Sequence, residues 1–254
     1  MCGIIGYLGK GIAQEPLVDG LRRLEYRGYD SAGVAFHEGE SFSMARETGR
    51  VKNLAESVKK NSSVSSLGIA HTRWATHGAV TVSNTHPHVS YDGKFVMVHN
   101  GVIENFGTLK RFLSGKGVEF TSETDSEVLC NLIAFHYSEL PKGDGRFIDA
   151  VRQSLPKCRG AYGIAILCLD YPDTMIGARR GSPLVVGLGD EANFIASDAS
   201  AFVGRAKEAV FLNDGEVAVL SGNDFRITTL GGEEAKAVAH PVDQISEEVE
   251  LGDF

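Results

Sequence analysis

Blocks of apolar and polar residues alternate along most of the chain, and their spacing predicts both strands and helices. Apolar residues three or four positions apart indicate amphipathic helices. Short, mainly apolar blocks bounded by turn residues indicate strands. The predicted helices cover residues 15–27, 51–60, 104–113, 126–137 and 147–155. The predicted strands cover residues 1–8, 31–36, 41–46, 68–73, 94–99, 162–169, 174–178, 184–188, 193–196, 210–212, 216–220 and 225–228.

The order of these elements predicts a layered fold. Strands come first, a group of helices follows between residues 104 and 155, and strands then return. Such an order favours α/β packing with largely antiparallel sheets, and His37-Glu38-Gly39 is a plausible hairpin turn. We interpret residues 1–240 as one domain and residues 241–254, an acidic and weakly periodic tail, as a linker.

Composition excludes several classes of protein. The chain has 254 residues, of which 43% are hydrophobic and 23% charged, as in soluble globular domains. A net charge of −8 argues against binding to nucleic acid. The longest apolar run, residues 164–169, is too short to span a membrane, and no basic stretch marks a secretory signal. The four cysteines lack metal-ligand spacing, so we expect free thiols in a reducing, cytoplasmic environment.

Cys2 is the candidate nucleophile. If Met1 is removed, Cys2 carries a thiol and a free α-amine on the same residue. An α-amine with a pKa of about 7.7–8.0 can accept a proton near neutral pH, and such an amine can serve its own side chain as a base. A cysteine near the start of a chain is more often inert, so the hypothesis depends on the remaining residues.

Other polar segments carry candidate site residues, and each also has a purely structural interpretation. Asn100-Gly101 is a common turn dipeptide. Asp125 or a neighbouring hydroxyl residue can cap the next helix. Arg73 can be an ion-pair partner and Trp74 a core anchor. Five histidines match no metal-binding spacing and are interpreted as core or loop residues: His71, His77, His86, His88 and His99.

Taken together, five segments closely resemble the class II glutamine amidotransferases, which are N-terminal-nucleophile hydrolases. They are Cys2-Gly3-Ile4-Ile5-Gly6 and residues 25–33, 71–78, 99–105 and 124–127, in the order of that family. The resemblance extends through nearly all of residues 1–240. Within the family, residues 26–30 and 73–77 are similar to the members that convert fructose 6-phosphate to glucosamine 6-phosphate. Purine-pathway amidotransferases and asparagine synthetases usually differ at these positions.

The resemblance implies an α+β fold: a four-layer αββα sandwich with two mainly antiparallel sheets between helix layers. It also implies a second domain, a sugar isomerase that receives ammonia and is missing from this chain. We therefore expect an isolated glutaminase domain or a standalone paralogue, and a homo-oligomeric full-length enzyme. No metal or organic cofactor is expected, and neither is a nucleic-acid or membrane partner.

The same resemblance assigns roles in the hydrolysis of L-glutamine to L-glutamate and ammonia. Cys2 would attack the side-chain amide and form a γ-glutamyl thioester. The Asn100 amide and the Gly101 N–H would stabilise the oxyanion. The substrate would be held by Arg73 at its carboxylate and by Asp125 at its ammonium group. The remaining implied substrate-site residues are Trp74, Thr76, His77, Arg27 and Gly28.

Three alternatives remain open from the sequence. One is a non-catalytic glutamine or glutamate sensor on the same scaffold. Another is the glutaminase of a different amidotransferase, such as the purine-pathway enzyme, or a hydrolase of other amides. The third is a structural or interaction domain, which would leave Cys2 unreactive toward a glutamine-like electrophile.

Overall fold

The computed structural model describes residues 2–74, 79–222 and 224–242. Its helices are α1 (Gln14–Leu24), α2 (Val51–Lys60), α3 (Phe106–Ser114), α4 (Asp125–Glu139) and α5 (Arg146–Ser154). Its strands are β1 (Gly3–Gly9), β2 (Ser31–His37), β3 (Phe42–Thr48), β4 (Leu67–Arg73), β5 (His88–Val89), β6 (Phe95–Ile103), β7 (Gly160–Cys168), β8 (Thr174–Arg180), β9 (Val185–Leu188), β10 (Ala192–Ala196), β11 (Glu208–Phe211), β12 (Glu216–Ser221), β13 (Asp224–Thr229) and β14 (Ala239–Pro241).

The strands form two sheets. The first has the order β14-β11-β9-β10-β1-β4-β2-β3, and the second β13-β12-β8-β7-β6-β5. All pairings between these strands are antiparallel. The central strands of both sheets are buried along most of their length, as expected for sheets covered on two faces.

Three apolar clusters hold four layers together. One joins the two sheets face to face and includes Ile4 and Ile69 of the first sheet and Val98 and Leu167 of the second. Another packs α1 and α2 on the outer face of the first sheet, and the third packs α3, α4 and α5 on the outer face of the second. The expected αββα sandwich is therefore confirmed.

Helix α4 is buried on nearly all sides because α3, α5 and the second sheet surround it. The Thr124 side chain caps its N-terminus by accepting a hydrogen bond from the Glu127 backbone N–H over 3.1 Å. The Glu127 carboxylate in turn accepts the N–H groups of Thr121 and Ser122 at 2.7 Å each. These contacts fix the loop that enters α4, and with it the position of Asp125.

The turn interpretation of Asn100-Gly101 is wrong. Strand β6 continues through both residues to Ile103, and its partner β7 pairs Asn100 with Gly163 and Gly101 with Tyr162. Pairing along the whole strand outweighs the local turn preference.

Two short edge strands, β5 and β14, were not predicted, and α3 begins at Phe106 rather than at residue 104. The hairpin between β2 and β3 is confirmed by the Glu38 N–H, which donates to the Ser41 carbonyl over 2.9 Å.

The described part of the chain reaches Val242, which is buried against the α1–α2 side of the first sheet. The acidic tail from residue 243 lies outside the described residues. None of the helices in the described ranges combines the length and hydropathy needed to cross a membrane.

Candidate active site

Cys2 lies immediately before β1, beside the end of β4. The antiparallel register pairs Gly3 with Thr72, and the Gly3 N–H donates to the Thr72 hydroxyl over 3.0 Å. This pairing brings Cys2 next to Trp74. The Trp74 backbone N–H donates to the Cys2 sulfur over 3.1 Å, and the thiol lies 3.6 Å from the Trp74 carbonyl oxygen. The backbone after β4 therefore holds the sulfur in place.

Arg73 ends β4 and is buried. Its guanidinium donates from Nη1 to the Ala79 carbonyl over 3.3 Å, while its own carbonyl accepts the Asp30 N–H over 2.7 Å. Trp74 is half exposed, and a Cβ atom at Gly28 would lie 2.5 Å from the indole ring. Gly28, where φ is +113°, thus allows Trp74 to pack closely against the turn after α1.

Asn100 reaches Cys2 from the other sheet. Its Nδ2 atom donates to the Cys2 carbonyl oxygen over 3.1 Å, and its Oδ1 atom lies 2.9 Å from Nε2 of His71. The next residue, Gly101, has a φ of +124°, and a Cβ atom there would lie 2.2 Å from the Ala161 carbonyl oxygen. Only glycine fits this position without displacing β7.

Asp125 is the first residue of α4, and its Oδ2 atom accepts the Ile103 N–H over 2.7 Å. This bond ties the N-terminus of α4 to the end of β6. A carboxylate at the N-terminus of a helix is also favoured by the helix dipole.

Arg27 and Gly28 do not line the cavity around Cys2 within the part of the chain that the structure describes. Arg27 donates to Asp198 over 3.1 Å, and Tyr26 donates to the same carboxylate oxygen over 3.0 Å. Burial opposes ionisation of Asp198, but the hydrogen bonds from Ser200 and Tyr26 and the charge of Arg27 outweigh it and lower the pKa of that carboxyl. The ion pair of Arg27 with Asp198 therefore stabilises the turn that contains Gly28.

A cavity of about 310 Å³ brings together most of the candidate residues in the described ranges, although Asn100, which contacts Cys2, is not among its lining residues. Cys2, Arg73, Trp74, Gly101 and Asp125 line it together. Thr76 and His77 lie outside the described residues. Further lining residues were not singled out as site residues from the sequence, namely Val102, Glu104, Phe106, Glu123, Thr124, Ser126, His71, His86 and His99. The spacing in the sequence could have indicated two of these residues. His71 lies two positions before Arg73 and so on the same face of the strand, and Glu123 lies two positions before Asp125.

Four histidines form a cluster against the cavity, and all are buried. The rings of His71 and His86 stack with centroids 4.1 Å apart, and His88 meets His86 edge-on at 4.6 Å. Burial lowers the pKa of His71 and of His88 to about 3 and that of His86 well below its usual range. Burial also lowers the pKa of His99, although the charge of Asp125 opposes this. These side chains are therefore neutral at pH 7, and within the described residues no metal-binding cluster of histidine, cysteine or acidic residues occurs.

The four cysteines are unpaired, and they differ in position. Cys130, Cys158 and Cys168 are buried in the core, and burial raises the pKa of Cys158 and of Cys168 to about 12 and that of Cys130 well above its usual range. Burial also raises the pKa of the Cys2 thiol, although the hydrogen bond from the Trp74 backbone opposes it. Of the four, Cys2 is the one that lines the cavity.

Comparison with known proteins places a chain with this sandwich fold and this cysteine-lined cavity in one family. The chain belongs to the glutamine amidotransferase domain family, whose sequence model matches residues 55–213.

Individual members of the family are similar to this chain over its whole length. The glutamine–fructose-6-phosphate aminotransferase (isomerizing) of Thermus thermophilus is 44% identical over the whole chain, and that of Chlorobaculum tepidum is 45% identical. The chain spans 41% of the length of each of these relatives.

Solved structures give the same class. The glutamine phosphoribosylpyrophosphate amidotransferase of B. subtilis matches 90% of this chain and 49% of its own with a TM-score of 0.74 and 26% identity. The resemblance to class II amidotransferases stated from the sequence is thus confirmed.

Proposed function

We propose that this chain hydrolyses L-glutamine to L-glutamate and ammonia with Cys2 as the nucleophile. The observation that supports this most is the cavity of about 310 Å³ in which a thiol, a guanidinium and a carboxylate meet: Cys2, Arg73 and Asp125. This volume is at the small end of ligand pockets and suits a single amino acid.

The thiol needs a base beside it, because burial raises its pKa and disfavours the thiolate. Removal of Met1 would supply the α-amine of Cys2 for this purpose. The amine takes the thiol proton while sulfur attacks the amide carbon, and it returns a proton to the departing ammonia. Water then cleaves the γ-glutamyl thioester, which releases glutamate and regenerates the thiol.

Charge that develops on the amide oxygen needs donors. Asn100 Nδ2 uses one hydrogen for the Cys2 carbonyl and retains a second, which in this mechanism points to the oxyanion. The Gly101 N–H is the second donor. A preorganised donor of this kind contributes roughly 10²–10³ in rate.

The amino-acid end of glutamine needs opposite charges. Arg73 would bind the α-carboxylate through two parallel N–H groups, with Thr76 and the His77 backbone adding hydrogen bonds. Asp125 would bind the α-ammonium group. In this arrangement Trp74 covers the bound substrate, and Gly28 and Arg27 support Trp74 from behind.

The ammonia has a proposed destination. By analogy with the relatives' names, it would aminate fructose 6-phosphate to give glucosamine 6-phosphate for hexosamine synthesis. This requires a sugar isomerase domain outside the present chain. Residues 1–240 would then form the glutaminase domain and residues 241–254 the linker, within a homo-oligomeric enzyme.

The purine-pathway alternative has structural support, because the B. subtilis enzyme matches 90% of this chain. Sequence identity favours the amino-sugar assignment, at 44% over the whole chain against 26%.

The test is incubation of the processed protein with glutamine and, separately, with a diazoketone analogue of glutamine. We expect equimolar glutamate and ammonia, weaker turnover of asparagine, and one covalent adduct that mass spectrometry locates on Cys2. Cys2→Ala should abolish both results, whereas the matched control Cys168→Ala should retain them. Binding of glutamine with neither turnover nor an adduct would instead identify a sensor.

A further inference from the structure

His71 makes a contact that the proposed mechanism does not use. It lies on β4, two residues before Arg73, and its Nε2 atom is 2.9 Å from Oδ1 of Asn100 on β6. Asn100 is also bound to Cys2 through Nδ2. The Asn100 carboxamide is thus held at both of its polar atoms, once by His71 on β4 and once by Cys2, which directly precedes β1.

The chemistry of these two contacts fixes the orientation of the amide. The Cys2 carbonyl oxygen can only accept a hydrogen bond, so the Asn100 atom that faces it must be the NH₂ nitrogen. The oxygen of the amide therefore faces His71. A carboxamide oxygen can only accept, so Nε2 of His71 must carry the proton.

The other ring nitrogen agrees with this tautomer. Nδ1 of His71 is buried and has no hydrogen-bond partner among the described residues, so a proton there would be an unsatisfied buried donor. The ring stacks on His86, whose own Nδ1 accepts the His99 N–H over 3.2 Å. Burial lowers the pKa of His71 to about 3 and keeps the ring uncharged, although hydrogen bonding to Asn100 and to the His99 backbone opposes this effect. A neutral ring with its one proton on Nε2 satisfies the contact with Asn100 and leaves Nδ1 without a buried, unsatisfied proton.

We propose that His71 is a positioning residue that locks the Asn100 carboxamide with its NH₂ group toward Cys2 and the cavity. This inference rests on the proposed function. Without the bond from His71, the amide can rotate by half a turn, and its oxygen would then face the developing oxyanion and repel it. Glutamine binding through Arg73 and Asp125 would be left intact.

The first test replaces His71 in a matched pair of variants. His71→Leu replaces the imidazole with an apolar side chain of similar volume and removes the hydrogen-bond donor. His71→Gln keeps an N–H near the position of Nε2. We expect His71→Leu to lower kcat about 10- to 100-fold with little change in KM, and His71→Gln to recover most of the loss. His136→Leu, which removes a buried histidine bound to Ser154 far from the cavity, should leave kcat unchanged.

A second readout separates positioning from general damage. Glutamate γ-semialdehyde would add to the Cys2 thiol and form a tetrahedral oxyanion, whereas glutamate forms none. His71→Leu should weaken inhibition by the aldehyde about 10-fold or more and leave inhibition by glutamate unchanged. Equal weakening of both, or of neither, would overturn the proposal.

The wild-type protein gives a third test that needs no variant. Long-range ¹H–¹⁵N NMR of labelled protein should show the proton of His71 on Nε2, and a proton on Nδ1 alone would overturn the proposal. Failure of the wild type to hydrolyse glutamine would refute the proposed function. An active wild type with an unaffected His71→Leu would refute this inference alone.

Discussion

The Nδ2 atom of Asn100 donates to the carbonyl oxygen of Cys2 over 3.1 Å, which joins the candidate oxyanion donor directly to the candidate nucleophile. Cys2 precedes β1 in the first sheet, and Asn100 lies on β6 in the second. The site therefore lies where the two sheets meet. Its geometry depends on the packing between them.

Asp125→Asn should weaken glutamine binding while the fold persists. The asparagine oxygen can still accept the Ile103 N–H, which Asp125 now accepts over 2.7 Å, but the negative charge is lost. Loss of one member of a buried charged contact costs roughly 2 kcal/mol or more, which is about 30-fold in affinity. Calorimetric titration with glutamine and with its deamino analogue checks this. The wild type should prefer glutamine, and the variant should not. A preference that survives in the variant would count against the ammonium contact.

Gly101→Ala should reduce both stability and activity. At a φ of +124°, an alanine is strained, and its Cβ atom would lie 2.2 Å from the Ala161 carbonyl oxygen. We expect a loss of about 2 kcal/mol or more in the free energy of unfolding, measured by urea denaturation, and a lower kcat. The control is Gly93→Ala, where φ is +73° and no atom lies within 4 Å of a new Cβ. It should cost about 1 kcal/mol and leave kcat unchanged. Equal stability losses at the two positions would contradict the steric argument.

Asp198→Asn should destabilise the turn that supports Trp74. The Arg27 side chain is only 7% exposed, so removal of the charge of Asp198 leaves a nearly buried guanidinium with a weaker acceptor. We expect a loss of about 1–3 kcal/mol in the free energy of unfolding. Glu191→Gln removes a well-exposed partner of Lys10 and should cost less than about 0.5 kcal/mol.

Because the pKa of Asp198 is lowered in the fold, the stability difference between the wild type and Asp198→Asn should depend on pH. The ionised carboxylate stabilises the fold above the pKa that this group has in the unfolded chain, and this contribution is lost as the pH falls through the folded-state pKa. The stability difference between wild type and Asp198→Asn should therefore shrink in acid. A constant difference would show that charge is not the cause.

Acidification should also destabilise the fold through the histidine cluster. His71 and His88 stay neutral in the folded protein down to a pKa of about 3, but in the unfolded chain they gain protons below about pH 6.5. The unfolded state thus binds more protons between these values, and the free energy of unfolding falls as the pH falls. Each histidine contributes about 1.4 kcal/mol per pH unit in this window.

Urea denaturation at pH 7, 6 and 5 measures this effect. His88→Leu should flatten the slope by the share of one histidine. His240→Leu is the control, because His240 is exposed on β14 and should leave the slope unchanged. An unaltered slope in His88→Leu would show that this histidine does not carry the effect.

Much of the fold follows from local patterns. Apolar spacing predicted the five α-helices of the described residues, and apolar blocks predicted the long strands, because these elements bury a face or a whole segment. Strand β5, with two residues, is too short to carry such a pattern, and the three residues of β14 are all exposed. The extension of β6 through Gly101 was missed for a related reason: the partner strand β7, and not the dipeptide itself, decides its conformation.

The sequence by itself determined which residue types are available: a thiol at position 2, a guanidinium at 73, a carboxamide at 100 and a carboxylate at 125. Only the tertiary structure decided which of them meet, and it added the stacked histidines behind Asn100. Strand register and the stacking of two sheets bring Cys2 and Asn100 together across 98 positions of the chain. The local spacing of apolar residues predicts which faces are buried, but it does not predict which strands become neighbours.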